Sequence, residues 1–326
     1  MLKIDRGDKI DMYKVKIGII GIGNVGCHVL YTLALMGIGD EFVLIDTNEK
    51  KANAERQDIF DSAEFLPHDI SVKVGDYPDL KDCDVIVYSV GRIELLIGNS
   101  DRVVELKYNI PAARECADRI AASGFKGCIV SISNPCDVVT NELIKRIPLA
   151  KGRIFGTGTG LDTARLKAYV AKQCNVATTS VTGYMIGEHG SSQITPWSVF
   201  NINGMPLDEL AKNDERFIFD RDKAENAGRE GGWITFNGKH HTDFAVALTA
   251  ARCVKAIVFD EKRVMPVSIS LNGEYGESGV CAGVPAIVGA GGVEKVIELP
   301  LNEDEKARFH QCCDHIRENI ALAAEI

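Results

Sequence analysis

Two short segments carry side chains able to move a proton and to grip an anion. Gly187-Glu188-His189-Gly190 offers an imidazole, and Leu161-Asp162-Thr163-Ala164-Arg165 offers a carboxylate followed three residues later by a guanidinium. An imidazole titrates near neutrality, a carboxylate can orient it, and the planar fork of an arginine matches the carboxylate of a small molecule. Either segment alone carries little, because a histidine among glycines is commonly a turn residue. A second signal, near the N-terminus, gives them a context.

There the apolar run Val15–Ile20 passes directly into Gly21-Ile22-Gly23-Asn24-Val25-Gly26, and Val25, Val29, Leu33 and Met36 then recur at helical spacing. Strand, glycine turn and helix start come in the order a pyrophosphate site requires. Gly21 allows the tight turn, Gly23 lets the backbone approach phosphate, Gly26 lets helix and strand pack closely, and Asn24 and Val25 open a helix whose free N–H groups face an anion. The strand Glu41–Ile45 ends on Asp46, about 20 residues beyond Gly26, where the dinucleotide fingerprint expects an acid on a ribose. An acid there repels a 2′-phosphate, which favours NAD over NADP. The bland reading is an ordinary strand, turn and helix with an exposed Asp46, and Lys50 and Lys51 read as the solvated start of the next helix.

These residues need a frame to hold them. Strand-like segments around 70–74, 84–90, 128–132 and 153–155 follow, with a helix-like stretch over 49–65, and such alternation predicts an α/β Rossmann doubly wound parallel sheet over residues 1–156, with an N-terminal extension of residues 1–14 that is either a subunit-contacting arm or a tail. From about residue 157 the pattern changes to a helix over 164–174, strand pieces around Glu188 and His189, helices over 243–259 and a strand-rich stretch over 265–288. This predicts a second, α+β substrate domain over 157–326, with the site between the two.

Composition limits the alternatives. The 326 residues are 45% hydrophobic and 25% charged with a formal net charge of −9, enough for two cores and the wrong sign for a nucleic-acid partner. No apolar run reaches the roughly 18 residues of a membrane span and the first residues are charged, so a cytoplasmic protein with no membrane partner is expected. The ten cysteines include no C-x-x-C pair and read as buried or free thiols rather than a disulfide frame. His310, Cys313, Asp314 and His315 crowd one terminal helix but read as surface residues, so no metal is expected.

With these motifs in hand, the chain resembles the L-2-hydroxyacid dehydrogenases of the lactate/malate dehydrogenase family from Lys14 to its end. The resemblance rests on Gly21–Gly26, Ser133-Asn134-Pro135, Gly158–Arg165 and Gly187–Gly190, in family order. Within that family, Asp101-Arg102, Leu161–Arg165, Gly187–Gln193 and the run Gly231-Gly232-Trp233 to Asn237-Gly238-Lys239 are most similar to the L-2-hydroxyisocaproate dehydrogenases. The resemblance implies an NAD-dependent homodimer or homotetramer acting on a small 2-oxo or 2-hydroxy acid. It makes His189 the acid/base, Asp162 its orienting carboxylate, Arg165 the grip on the substrate carboxylate, and Arg102 a lid residue that polarises the carbonyl. Asn134 would bond near the reacting carbonyl and the cofactor, Val90 and Gly91 would flank the cofactor, and Thr242 would line the substrate pocket. Asn134 before a proline is equally an ordinary turn residue, and Thr242 could instead cap a helix.

Departures from the family pattern bear on the substrate. The lid segment 91–102 is longer by a couple of residues than in lactate dehydrogenases, and where the family carries its discriminating side chain it holds Leu95, Leu96 and Ile97. A second substrate carboxylate would find no counter-charge there, and an unpaired buried charge is costly. The expectation is a 2-oxo acid with a medium-sized apolar side chain, such as 2-oxoisocaproate. L-lactate dehydrogenase is the alternative, malate dehydrogenase is less favoured, and Leu95–Ile97 could merely pack the lid. The arginine and histidine of sugar-bisphosphate-activated relatives align with Lys167 and Thr182, so such activation is not expected. From other classes, an NAD-dependent glycosidase or a catalytically idle NAD-binding protein stay as alternatives.

Overall fold

The computed structural model describes residues 14–96 and 103–326. Strands β1 (Lys16–Ile20), β2 (Glu41–Ile45), β3 (Ser71–Val74), β4 (Val85–Tyr88), β5 (Cys128–Ser131) and β6 (Ile154–Gly156) alternate with helices α1 (Asn24–Leu35), α2 (Glu49–Asp61), α3 (Val103–Ser123) and α4 (Cys136–Arg146). The strands pair in parallel in the spatial order β3-β2-β1-β4-β5-β6. All four residues of β4 and of β5 are buried, as expected of strands covered by helices on both faces. On one face Ile17, Ile19 and Leu44 pack with Leu30 and Leu33 of α1; on the other, Ile20, Ile86 and Ile129 pack with Ile110 of α3 and Val139 of α4. The strand order reverses between β1 and β4, and the crevice outside their C-terminal ends is where such sheets bind ligands.

The C-terminal half contains α5 (Gly160–Cys174), a small antiparallel sheet of β7 (Val181–Thr182), β8 (Asn201–Ile202) and β9 (Met205–Pro206), α6 (Leu207–Ala211), α7 (Arg221–Lys239), α8 (Phe244–Val258), β10 (Arg263–Asn272), β11 (Ser278–Gly289), β12 (Gly292–Val296) and α9 (Glu303–Ala324). The long hairpin β10–β11 does not build a sheet of its own. It joins the outer edge of β6 through Ser268 opposite Gly156, so that among the described residues nine strands form one mixed sheet, β12-β11-β10-β6-β5-β4-β1-β2-β3. The junction is tight. A Cβ on Gly156 would lie 2.6 Å from the Cys136 Sγ and 3.2 Å from the Ser268 Cβ, so only glycine lets the two strands meet with α4 packed over them.

Two local expectations differ from the outcome. Around Glu188 and His189 there are no strands but two single bridges, Ile186 with Ile194 and Gly187 with Gly283. The expected helix over 49–65 ends at Asp61 and tightens into a 3₁₀ turn over Ala63–Phe65. The segment Arg221–Lys239, for which the sequence pattern sets no secondary-structure expectation, is a helix of 19 residues. All ten cysteines are free thiols, and Cys27 alone among them is not fully buried. Among the described residues no helix is long and apolar enough to cross a membrane.

Candidate active site

The glycine turn behaves as its spacing predicts. Gly21 has φ +90°, a left-handed conformation suited to glycine, and its N–H donates to the Ile45 carbonyl at 2.8 Å, tying the turn to the end of β2. A Cβ on Gly26 would fall 1.9 Å from the Gly21 carbonyl oxygen, so this glycine is what allows α1 to start directly against the turn. A Cβ on Gly23 would meet nothing within 4 Å, leaving an open cradle beside the helix N-terminus. No side chain caps α1, and its first turn holds no acid, so its N–H groups and positive dipole end are available to an anion. Asp46, just past β2, accepts the Ile22 N–H at 2.6 Å and the Asn48 N–H at 2.7 Å. The acid is thereby fixed against the glycine loop, although it is not on the wall of the large cavity described next. An open cradle, an uncapped helix start and a fixed acid beside them fit a dinucleotide.

A cavity of about 660 Å³ extends from Gly23, Asn24 and Val25, past Val90 and Gly91 at the end of β4 and Asn134 after β5, to Asp162, Arg165, His189 and Thr242. Residues from both ends of the chain therefore share one space. The imidazole Nδ1 of His189 lies 2.6 Å from Asp162 Oδ2, and Arg165 Nη1 donates to Asp162 Oδ1 at 3.1 Å. The Asp162 side chain is 1% exposed, and both partners are mostly covered. One buried carboxylate thus holds two groups aimed at the same space.

Local chain geometry explains how this is achieved. Asp162, on the first turn of α5, and Arg165, on the second, are three apart and hence on one face, and an acid at a helix start is favoured by the dipole. The start of α5 is tied to the chain before the His189 loop: Thr159 Oγ1 donates to the Met185 carbonyl at 2.6 Å, and Met185 N–H donates to Thr163 Oγ1 at 2.9 Å. The loop itself is closed at its base by paired bonds between Gly187 and Gly283 of β11, 2.9 and 2.7 Å. Gly187 has φ +99°, and a Cβ there would lie 2.4 Å from Cys312 Sγ on α9. On the far side of Arg165, Gly231 and Gly232 of α7 let the helix lie against the guanidinium, since a Cβ at Gly231 would be 2.9 Å from Arg165 Cδ.

The remaining expected residues are placed as follows. Asn134 lines the cavity, and its carbonyl accepts from Asn109 Nδ2 at 2.6 Å. Thr242 lines the cavity and does not cap α8; that cap is Asp243, which accepts the Phe244 N–H at 2.8 Å. Leu95, on the 3₁₀ turn Ile93–Leu96, is not on the cavity wall, whereas its neighbours Ile93, Glu94 and Arg92 are. The Leu96 side chain, Ile97 and Arg102 lie outside the described residues. Among the described residues no group of three or more His, Cys, Asp or Glu could hold a metal ion.

Other residues of the site were not expected from the sequence. Leu106, Trp233, Phe236 and Val246 supply apolar wall, and Arg92 stacks on Tyr108 with its guanidinium 4.6 Å from the ring centre. Asp137 is buried behind the His189 loop and accepts that residue's main-chain N–H at 2.8 Å and the Ser268 hydroxyl at 2.5 Å. Burial pushes its carboxyl up to about 7, against the lowering effect of those two bonds. Asp137 follows Asn134-Pro135 so closely that the motif could have pointed to it. Nothing in the sequence links it to Ser268, which only the pairing of β10 with β6 brings near.

Comparison with known proteins places the chain in a family over nearly its whole length. Residues 15–156 match the model of the lactate/malate dehydrogenase NAD-binding domain, and residues 159–326 match that of the lactate/malate dehydrogenase alpha/beta C-terminal domain. The chain is 40% identical over 309 residues to an L-lactate dehydrogenase of Fusobacterium nucleatum, covering 94% of this chain and 96% of that protein. It is 39% identical over 312 residues to L-lactate dehydrogenase 1 of Bifidobacterium longum, covering 95% and 98%. Among crystal structures, a lactate dehydrogenase enzyme from a Medee basin deep-sea metagenome library superposes with a TM-score of 0.91 at 30% identity over 96% of this chain and all of that one. The minor L-lactate dehydrogenase of Enterococcus mundtii in its ligands-bound form gives 0.89 at 33% identity, covering 96% and 98%.

Proposed function

The chain belongs to the lactate/malate dehydrogenase family and uses NAD, and from that premise we propose that it interconverts a 2-oxo acid and its L-2-hydroxy acid, with a medium-sized apolar side chain preferred. The observation that carries the proposal is the convergence of His189 and Arg165 on the buried Asp162 in a cavity continuous with the glycine cradle. Bound NADH supplies the hydride that arrives at the carbonyl carbon. The protein's own residues do the rest. With Nδ1–H donated to Asp162, the His189 Nε2 faces the substrate and gives its proton to the carbonyl oxygen as negative charge develops there; in the oxidative direction the same nitrogen takes the proton back. Asp162 favours the charged imidazole and fixes its tautomer. Arg165 uses the part of its fork not spent on Asp162 to hold the substrate carboxylate, which fixes the carbonyl carbon in position. Arg102 would polarise the carbonyl from the lid, with Asn134 and Thr242 lining the reacting end.

The side-chain preference rests on the absence of a basic discriminating residue over Leu95–Ile97 and on the apolar walls at Leu106, Trp233, Phe236 and Val246. A second reading, L-lactate dehydrogenase acting on pyruvate, is favoured by the names of the relatives. A panel of 2-oxo acids with NADH separates the two. Each additional buried methylene contributes on the order of 0.8 kcal/mol, so 2-oxoisocaproate should exceed pyruvate in kcat/KM and oxaloacetate should be poor. Pyruvate first would make the enzyme a lactate dehydrogenase. Oxaloacetate first would make Arg92 the partner of a second carboxylate and the enzyme a malate dehydrogenase.

A further inference from the structure

Asp137, on the first turn of α4, is 2% exposed and is not on the wall of the cavity. Its carboxylate is nevertheless engaged on both sides, Oδ2 by the His189 N–H at 2.8 Å and Oδ1 by the hydroxyl of Ser268, itself fully buried on β10, at 2.5 Å. One acidic group thus joins α4, the strand that carries the sheet into the C-terminal half, and the loop that bears the imidazole. A neutral amide could accept the His189 N–H with its oxygen and donate to the Ser268 oxygen with its NH₂, without the large penalty of burying a charge. What the amide cannot supply is negative charge beside His189.

We propose that Asp137 is a positioning residue for His189, anchoring the loop through the main-chain N–H and, by its charge, favouring the protonated imidazole that reduction of a 2-oxo acid requires. The proposal rests on the dehydrogenase reading of the site. The groups facing Asp137 are consistent with a charge effect directed at His189. From the loop come Glu188 and His189; from α4, β11 and α9 come the thiols of Cys136, Cys281, Cys312 and Cys313, all kept protonated by burial. The imidazole in turn faces Asp162, whose other oxygen is held by Arg165. Above about pH 7, where Asp137 is ionised, two carboxylates favour the imidazolium; with an amide in its place there is one, so the imidazole should lose its proton at lower pH.

Asp137→Asn keeps both contacts, its amide oxygen accepting from His189 and its NH₂ donating to the Ser268 oxygen in a reversed bond, and removes the charge. A readout that needs no turnover is the proton NMR titration of the His189 Cε1–H, assigned by its loss in His189→Asn. The expected result is a His189 pKa lower in Asp137→Asn by on the order of 0.5–1 unit, with the alkaline limb of kcat for 2-oxoisocaproate reduction moved the same way and NADH affinity within about twofold. Asp137→Ala removes the anchor as well, and kcat should fall about 10- to 100-fold, largely restored by the Asn variant. An unmoved His189 titration in an Asp137→Asn protein that binds NADH normally overturns the charge effect, and a kcat for Asp137→Ala within twofold of the parent overturns the anchoring. Should the Ala variant not fold, the Asn titration decides. A parent protein that reduces no 2-oxo acid would remove the dehydrogenase reading, an outcome separate from either.

Discussion

His189 reaches its carboxylate through Nδ1, 2.6 Å from Asp162, so any proton exchanged with substrate passes through Nε2. His189→Asn should therefore leave NADH binding close to that of the parent and lower turnover by roughly 10²- to 10⁴-fold, the range attributed to a general acid or base; stopped-flow turnover alongside fluorescence-detected NADH binding checks both halves. Arg165 offers one nitrogen to Asp162 and lines the cavity, where we propose the rest of its fork holds substrate. Lysine cannot reproduce a two-point grip, so Arg165→Lys should raise KM steeply for every 2-oxo acid tested, and an unchanged KM across the panel would move the carboxylate site elsewhere. These residues were legible because each motif carries its chemistry within a few positions. Thr242 was legible only as one of two roles, and the cap at Asp243 removes the competing one. Asp137 and Ser268 were not legible as partners, because they lie 131 residues apart and are brought together by the pairing of β10 with β6.

At the scale of elements, the start of α1 and the course of α7 both depend on missing side chains. Gly26→Ala would drive a methyl to within 1.9 Å of the Gly21 carbonyl, and backbone on both sides cannot yield as a side-chain end can. The variant should lose about 1–3 kcal/mol or more of stability together with NADH binding, read by thermal melts with and without NADH, and a normal shift of the melt by NADH would show that the turn tolerates the methyl. Helix α7 carries no clear helical signal in the sequence for a related reason. Gly228, Gly231, Gly232 and Gly238 each disfavour a helix by roughly 0.5–1 kcal/mol, so local propensity argues against one. Packing overrides it: a Cβ on Gly228 would lie 2.2 Å from Met185 Sδ, and Gly231 and Gly232 sit over Arg165, so the glycines are what allow the helix to approach α5. The parallel strands, by contrast, were legible as near-continuous apolar runs.

For the whole molecule, the buried Asp137 should leave a mark on the pH dependence of stability. Its carboxyl is raised from 3.8 to about 7, so over that interval the folded protein holds a proton that the unfolded chain has released. The stability contributed by this group is complete below about pH 3.8 and is lost as the pH rises through about 7. The melting temperature of Asp137→Asn relative to the parent should accordingly rise between pH 5 and pH 8, and a constant difference across that range would place the carboxyl near its ordinary value. Exposed apolar side chains on two packed helices, Tyr31 and Leu35 on α1 with Phe244 and Leu248 on α8, favour a homo-oligomer. Light scattering after gel filtration should give a dimer or tetramer of the chain, and a monomer at micromolar concentration would remove that reading.

The shared sheet also has a consequence for how the chain must be made. The outer edge of β6 is covered by β10, which begins at Arg263, roughly a hundred residues after β6 ends at Gly156. At about 5–20 residues per second, a ribosome exposes the first six strands some 5–20 seconds before the covering strand exists. During that interval the nascent nucleotide-binding half carries a bare, apolar strand edge of the kind that recruits other chains. Synthesis slowed between residues 156 and 263 should therefore lower the soluble yield without altering the finished enzyme, and a chain released at Gly156 should aggregate rather than accumulate as a free domain.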